Sequence, residues 1–352
     1  MQNTRQGMYR VAAMVVALLV LSMSALAGGG ERKGSAGADE LLIPVGARST
    51  ALGGSYIAGI SGAEAIYWNP AGLSASTRSA EVLFSHMTYF GETSVSYLAL
   101  GANFSGFGHL GLSIKTLGFG NISLTDERAP DGGTATFSPT YVTFAVTYSR
   151  ALTDRIRAGV NVNLVTEQIS RSSASGVAFD AGIQYNGLVG MKGLQLGVAL
   201  RHLGPNMKFD GPDFYRLAQE QDGNRDPQFL KLETMSFQLP TTLELGIAYT
   251  SQLAENHMVT LSGMFQNNNF LDDQWVLGLE YGFQNAFYLR GSYSMAPEAS
   301  NDPLGESSYL YGLAFGAGVN VDAGGMNLGF DYAYRQVGFF SANHLVTLTI
   351  GF

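Results

Sequence analysis

The side chains that could do chemistry are few in this sequence and lie far apart. Five histidines are present, and no two of them stand at a metal-ligand spacing. They are His86, His109, His202, His257 and His344. There is no Cys, so disulfides, thiolate metal sites and cysteine nucleophiles are excluded. A Gly-x-Ser-x-Gly elbow is also absent, and the sequence therefore predicts a protein that is not an enzyme and holds neither metal nor cofactor.

The composition limits the class of protein further. Charged residues make up 14% of the 352 residues and hydrophobic ones 46%, a content too apolar for a disordered chain. The formal net charge of −8 argues against a nucleic-acid partner. Only Val11–Met23 approaches the length of a membrane-spanning helix, which excludes a helical protein with several spans.

The N-terminus has the features of a secretory signal peptide. Arg5 and Arg10 precede the apolar stretch Val11–Met23, and Ala25-Leu26-Ala27 matches a cleavage site. An uncleaved anchor is the alternative, although the apolar stretch is shorter than a span requires. Residues 1–27 are therefore predicted to direct export toward a bacterial periplasm or outer membrane.

From residue 79 onward, apolar and small polar residues alternate in fourteen segments. In one of them, Trp275, Leu277 and Leu279 share one parity, whereas Val276 and Gly278 share the other. Period two is typical of β-strands, and most segments are long enough to cross a membrane. The sequence thus predicts an all-β fold: a closed antiparallel transmembrane β-barrel of 14 strands over residues 79–352. Residues 28–78 are predicted to form a flexible lead and a short hatch or plug.

Charge placement favours a membrane barrel over a soluble sandwich. The apolar positions of each segment, which share one face of the predicted strand, carry no charge. This is expected if that face meets lipid, where an Arg or Lys costs about 2–4 kcal/mol. The other parity is rich in Gly and small residues and carries five charges of each sign, which predicts pairing across a confined lumen. These predicted lumen charges are Lys115, Arg157, Arg201, Arg290 and Arg335 with Glu167, Asp180, Glu244, Glu280 and Asp331. The first expected partner is therefore outer-membrane lipid, and the expected location is the bacterial outer membrane.

Connection lengths and the C-terminus support the same fold. The long connections are the third, seventh and eleventh, all odd-numbered, as expected if odd connections face outside. The seventh, Gly204–Leu239, mixes charges with aromatic residues and suggests a lid or a protein contact, although a merely solvated loop is the alternative. Its candidate binding residues are Phe209, Phe214, Tyr215 and Phe229. Phe352 ends an alternating run, which resembles the terminal aromatic signature of outer-membrane barrels.

The non-alternating stretch from Asp39 to Ser76 carries a family resemblance. Gly46-Ala47-Arg48, Ala51-Leu52-Gly53-Gly54 and Trp68-Asn69-Pro70-Ala71-Gly72 resemble the N-terminal signature of the PorV/PorQ family, within the FadL-like outer-membrane proteins. The resemblance implies a hatch inside a 14-stranded barrel, whereas a periplasmic flap is the alternative. The residues that carry it are Arg48, Leu52, Gly53, Gly54, Trp68, Asn69, Pro70, Ala71 and Gly72.

The same resemblance implies two functions. PorV-like members serve the type IX secretion system, with secreted cargo proteins or secretion-system components as partners. FadL-like members instead carry long-chain fatty acids or other hydrophobic small molecules across the outer membrane. We expect export or cargo binding first and hydrophobic-compound transport as the alternative.

Overall fold

Fourteen antiparallel strands close into a barrel in a computed structural model of the chain. The structure describes residues 33–91, 93–125, 127, 129–133, 135–219, 226–297, 299 and 309–352. The predicted signal peptide, residues 1–27, lies outside the described residues. Strand β1 pairs with β14 from Glu81 opposite Gly351 to Thr88 opposite His344, so the sheet has no open seam there. The predicted 14-stranded antiparallel barrel is therefore confirmed.

The strands have the following bounds. The first seven are β1 Ala80–Thr88, β2 Ser94–Phe104, β3 Gly108–Gly118, β4 Thr140–Ala151, β5 Ile156–Ile169, β6 Ser172–Asn186 and β7 Leu194–Leu203. The second seven are β8 Thr242–Ala254, β9 His257–Asn268, β10 Gln274–Phe283, β11 Phe287–Met295, β12 Tyr311–Ala323, β13 Met326–Val337 and β14 Asn343–Gly351. Each strand pairs with its neighbour in the chain, so the order around the barrel is the order in the sequence.

The two parities of each strand face opposite sides of the wall. In β10, the outward Leu277 and Leu279 are exposed, whereas the inward Val276 and Glu280 are buried. Successive side chains of a strand point to opposite faces, and the outward positions in the middle of the strands are predominantly apolar, as these leucines are. Among the described residues, no helix is long and apolar enough to cross a membrane.

The long third, seventh and eleventh connections all leave the same end of the barrel, which we call the outer end. In the third connection Ile122–Ser123 pairs with Thr136–Phe137. In the seventh, Met207–Lys208 pairs with Ser236–Phe237, and Tyr215–Ala218 pairs with Gln228–Lys231. The loop strands thus build a rim around the outer mouth.

The segment before β1 lies inside the barrel, as a hatch (residues 38–78), and not below it as a flap. It contains α1 Ala47–Ala51, α2 Ala65–Trp68 and the 3-10 turns Asp39–Leu42 and Pro70–Ala75. The turn Pro70–Ala75 packs against β4, β5 and β6, and α1 packs against β11 to β14. The hatch therefore spans the lumen from wall to wall.

Glycines on the inner wall make room for this hatch. At nine of them, an added Cβ would lie closer than 3 Å to a hatch atom; they are Gly101, Gly111, Gly159, Gly182, Gly197, Gly246, Gly278, Gly316 and Gly351. At Gly182 that atom is Oδ1 of Asn69, and at Gly159 it is the backbone of Pro70. Gly312 and Gly329 share this parity but do not face the hatch.

Candidate functional site

The Leu52-Gly53-Gly54 element reverses the chain directly after α1. Gly53 and Gly54 have φ values of 62° and 82°, a region that favours glycine. The Gly54 N–H donates to the carbonyl of Ser49 at 2.8 Å and ends the helix. A Cβ on Gly54 would lie 2.5 Å from the ring of Trp68. Both backbone conformation and the approach of Trp68 therefore require glycine here.

The Trp68-Asn69-Pro70 element ties three parts of the hatch together. The Trp68 indole donates to the carbonyl of Val45 at 2.9 Å. The fully buried Asn69 caps the turn beginning at Pro70, because its Oδ1 accepts the N–H of Ala71 at 3.2 Å. Its Nδ2 donates to the carbonyl of Ile57 at 3.0 Å. Ala71 and Gly72 are buried behind it.

Arg48 links the hatch to the wall through a chain of buried charges. Its guanidinium forms two hydrogen bonds with Glu280, of 3.0 Å and 2.9 Å. Arg290 donates to the same carboxylate at 2.6 Å and contacts Asp331 at 2.5 Å. Two cations and two anions thus alternate from α1 to β13, which compensates the desolvation of each.

A second buried cluster lies at the outer end of β6 and β7. Arg201 forms an ion pair of 2.9 Å with Glu244, and its guanidinium lies 4.2 Å from the ring centroid of Tyr67. His202 has a φ of 59°, and its N–H donates to Asp180 at 2.7 Å where the β6–β7 register shifts. This bulge turns both Arg201 and His202 inward, where both are buried.

The remaining predicted lumen charges have different surroundings. Lys115 donates to the carbonyl of Ile43 at 2.9 Å, and Glu167 lies beside Glu40 of the hatch. Burial, together with the Glu167 carboxylate, raises the pKa of Glu40 to about 8. Arg157 and Arg335 are half-buried and form no ion pair within the described part of the chain.

Above the hatch, the lumen opens into a chamber of about 810 Å³. Its floor includes Asp39, Glu40, Ile43, Tyr67 and Trp68 of the hatch. Its aromatic wall, from strand ends and outer loops, includes Tyr89, Phe90, Phe119, Tyr141, Tyr309 and Tyr311. Drug-sized ligands occupy pockets of about 300–1,000 Å³ that are mostly apolar with a few polar groups. The chamber is therefore the candidate functional site.

The outer-loop candidates do not all reach the chamber. Phe209 lines it and packs against Phe237 with ring centroids 5.8 Å apart. Tyr215 and Phe229 lie on the loop hairpin and are exposed, and Phe214 is half-buried beside them. Only Phe209 of the four belongs to the site, because the other three do not line the chamber.

Sequence patterns missed several residues of the site. Tyr311 has the outward parity of Leu313, but a register shift between Tyr311 and Ala314 brings it into the chamber. Glu40 lines the chamber and Glu64 is buried within the hatch, a segment where no periodicity indicates which side chains are buried. Acidic residues in an otherwise apolar Ala- and Gly-rich stretch were the available signal. In the described segments, no group of three His, Asp or Glu residues could hold a metal ion.

Comparisons with known proteins identify the fold. No family model matches the chain, and no curated protein matches it. Among solved structures, the toluene transporter TodX of Pseudomonas putida has a TM-score of 0.51 and 13% identity, covering 86% of this chain and 96% of its own. The CymD monoaromatic hydrocarbon channel also has a TM-score of 0.51 and 13% identity, covering 88% and 97%. A TodX deletion mutant reaches 0.53 with 14% identity, covering 87% and 97%.

Identities this low establish the fold alone. The apolar outer surface and the closed wall fit a membrane-spanning barrel, and the protein is an outer-membrane protein. Nothing in the comparisons distinguishes the PorV/PorQ branch. By its architecture, the chain shares the fold of these channels, and its own barrel has 14 antiparallel strands and an N-terminal hatch.

Proposed function

We propose that the protein carries hydrophobic small molecules across the outer membrane and that the chamber is where they first bind. The observation that supports this is the aromatic chamber itself, which lies at the outer end and is floored by the hatch. TodX and CymD, which share the fold, are named as channels for toluene and monoaromatic hydrocarbons. Transfer of an apolar compound from water into such a pocket is favourable, because it lowers the free energy of the system.

Passage inward requires a change at the hatch or in the wall. The hatch fills the lumen below the chamber, with Arg48 bonded to Glu280 of β10 and Asn69 to the Ile183 carbonyl of β6. The described strands form a continuous ladder, with irregular register between Phe179 and Ala181 on the β6–β7 side. We infer that the chamber holds the compound until either a contact between hatch and wall or the β6–β7 strand pairing opens.

Uptake of radiolabelled toluene tests the proposal. A host lacking its own hydrophobic-compound channel would express the protein or a variant with Tyr67→Arg, which places a charge in the chamber floor. We expect uptake above the empty-vector rate for the wild type and a loss of that gain in the variant. Matched control cells would carry Leu188→Arg, in the short β6–β7 turn away from the chamber. Wild-type uptake equal to the empty vector would refute the proposal.

Protein export is the second candidate, favoured by one feature of the outer loops. Leu217, Phe229, Leu230 and Met235 are exposed on or beside the loop hairpin, where an exported protein could dock. We would purify the protein from its native membranes with and without Phe229→Ser and Leu230→Ser. A surface-anchored protein that co-purifies with the wild type and is lost with the double variant would support export, and identical co-purification would count against it.

A further inference from the structure

Arg335 is a cation of the chamber that forms no ion pair with the described residues. The basic residues lining the chamber are Arg201 and Arg335 among the described residues, and Arg201 is neutralised by Glu244 at 2.9 Å. Arg335 is half-buried and forms no ion pair in the described part of the chain. A partly desolvated guanidinium without a counter-charge is costly, and an anion bound beside it would remove that cost.

The surroundings of Arg335 are aromatic. Its guanidinium carbon lies 3.5 Å from the ring centroid of Tyr311. The Tyr311 hydroxyl lies 3.1 Å from that of Tyr89, and the rings of Tyr309 and Tyr311 meet edge to face at 6.0 Å. Stacking on Tyr311 holds the guanidinium plane in place, and the neighbouring rings can pack against a planar ligand.

The opposite side of the chamber is acidic. Glu167 lies on β5, six strands from Arg335 on β13 by the shorter way around a ring of fourteen, and therefore nearly across the barrel. Asp39 and Glu40 of the hatch line the chamber, with Glu40 beside Glu167. The carboxylates of Glu167 and Asp39 would repel an anionic ligand from that side and Arg335 would attract it, so the arrangement of charges orients it.

We propose that the chamber binds aromatic carboxylates, with the carboxylate on Arg335 and the ring among Tyr89, Tyr309 and Tyr311. Guanidinium and carboxylate match in a bidentate geometry, which a neutral hydrocarbon cannot use. This inference deepens the proposed function and rests on it, since it names the substrate class of the same chamber.

Binding to purified protein in a neutral detergent tests the proposal, with 2-naphthoate and its neutral counterpart 2-naphthamide as probes. We expect 2-naphthoate to bind about tenfold tighter, the usual scale for a charge-assisted hydrogen-bonded pair. Arg335→Gln should abolish this preference, because it should weaken 2-naphthoate binding much more than 2-naphthamide binding. The control Arg157→Gln changes a half-buried arginine outside the chamber and should keep the preference. Decanoate, which has the carboxylate without the ring, should bind more weakly than 2-naphthoate.

Each adverse outcome has a separate meaning. Equal affinity for the two naphthyl probes, or a preference that survives Arg335→Gln, would overturn the role of Arg335. Equal affinity for decanoate would overturn the ring preference. In either case toluene uptake could still proceed, and the proposed function would stand. Failure of toluene uptake while the naphthoate preference holds would reject transport and leave the carboxylate site.

Discussion

Single charged residues inside the barrel have two kinds of surroundings. Arg48, Arg290 and Arg201 are matched with carboxylates, and these pairs fix the hatch and the wall around it. Arg335 lies in the chamber without such a match in the described residues. In a buried ion pair, the attraction between the charges roughly offsets the cost of removing them from water, whereas an unmatched cation has no such offset. We therefore assign a structural role to Arg48, Arg290 and Arg201 and a ligand-binding role to Arg335.

Replacing Arg48 should loosen the hatch. Arg48→Met leaves the buried Glu280 with Arg290 as its remaining cation, so we expect the hatch to dock less tightly by about 2–3 kcal/mol. The urea midpoint of Trp68 fluorescence, in a Trp275→Phe background, measures this. Arg171→Met removes an exposed loop pair with Asp213 and should leave the midpoint unchanged. A midpoint that Arg48→Met does not lower would contradict the anchoring role.

Docking of the hatch should weaken as the pH rises. Burial and the Glu167 carboxylate raise the pKa of Glu40 to about 8, from an ordinary 4.5, and burial raises the pKa of Glu64 to about 7. The docked state therefore binds more protons than the undocked state between pH 4.5 and 8. The free energy of docking becomes less favourable as the pH rises through that window. The Trp68 urea midpoint should fall with pH in the wild type.

The variant Glu40→Gln should have a shallower pH dependence, with the remaining slope due to Glu64. Glu255→Gln, in the exposed β8–β9 turn, is the control and should keep the wild-type slope. If Glu40→Gln and the wild type show the same slope, Glu40 is not held protonated against the wall.

At the scale of elements, the hatch fits the space that small residues leave along the inner face of the wall. The hatch backbone approaches the wall where the strands carry glycine, as Pro70 does at Gly159 and Ala58 does at Gly197. A helix-poor segment of this length could not fold alone, so its stability comes from the surface it buries inside the barrel. The glycines are therefore part of the hatch site as much as of the strands.

Adding one methyl group at the wall should displace the hatch. In Gly182→Ala the new Cβ would overlap Oδ1 of Asn69, and we expect docking to weaken by about 1–3 kcal/mol. Gly312→Ala is the matched control, because its Cβ would meet no atom closer than 3.8 Å. The Trp68 urea midpoint should fall for the first variant alone. Equal effects at the two glycines would show that the loss comes from the strand and not from the hatch.

At the scale of the whole molecule, the closed ring of paired strands and the apolar outer surface indicate that lipid surrounds the barrel wall. A cylinder without a free edge satisfies its backbone hydrogen bonds internally, as lipid requires. Phe352 takes part in this closure, since its N–H donates to the carbonyl of Ala80 at 2.9 Å. The outer surface and the closure together place the barrel in the membrane.

A charge on the outer surface should destabilise the barrel in lipid. Leu279 points outward near the middle of β10, and Leu279→Lys should cost about 2–4 kcal/mol. The folded fraction in lipid vesicles, followed by heat-modifiable electrophoretic mobility in urea, measures the loss. Leu230→Lys, in the exposed loop hairpin, should have little effect. Comparable stability of the two variants would mean that acyl chains do not solvate Leu279.

The sequence by itself determined the barrel, because period two and the absence of charge on one parity depend only on which solvent each face meets. It also determined which residues mark the hatch, since turns and caps such as Gly54 and Asn69 are local. Only the tertiary structure decided that Arg48 meets Glu280, 232 positions later, and that a register shift turns Tyr311 into the chamber. The reason is physical: the contacts between a non-periodic segment and a closed wall depend on shape and register across the whole cylinder, which no local pattern encodes.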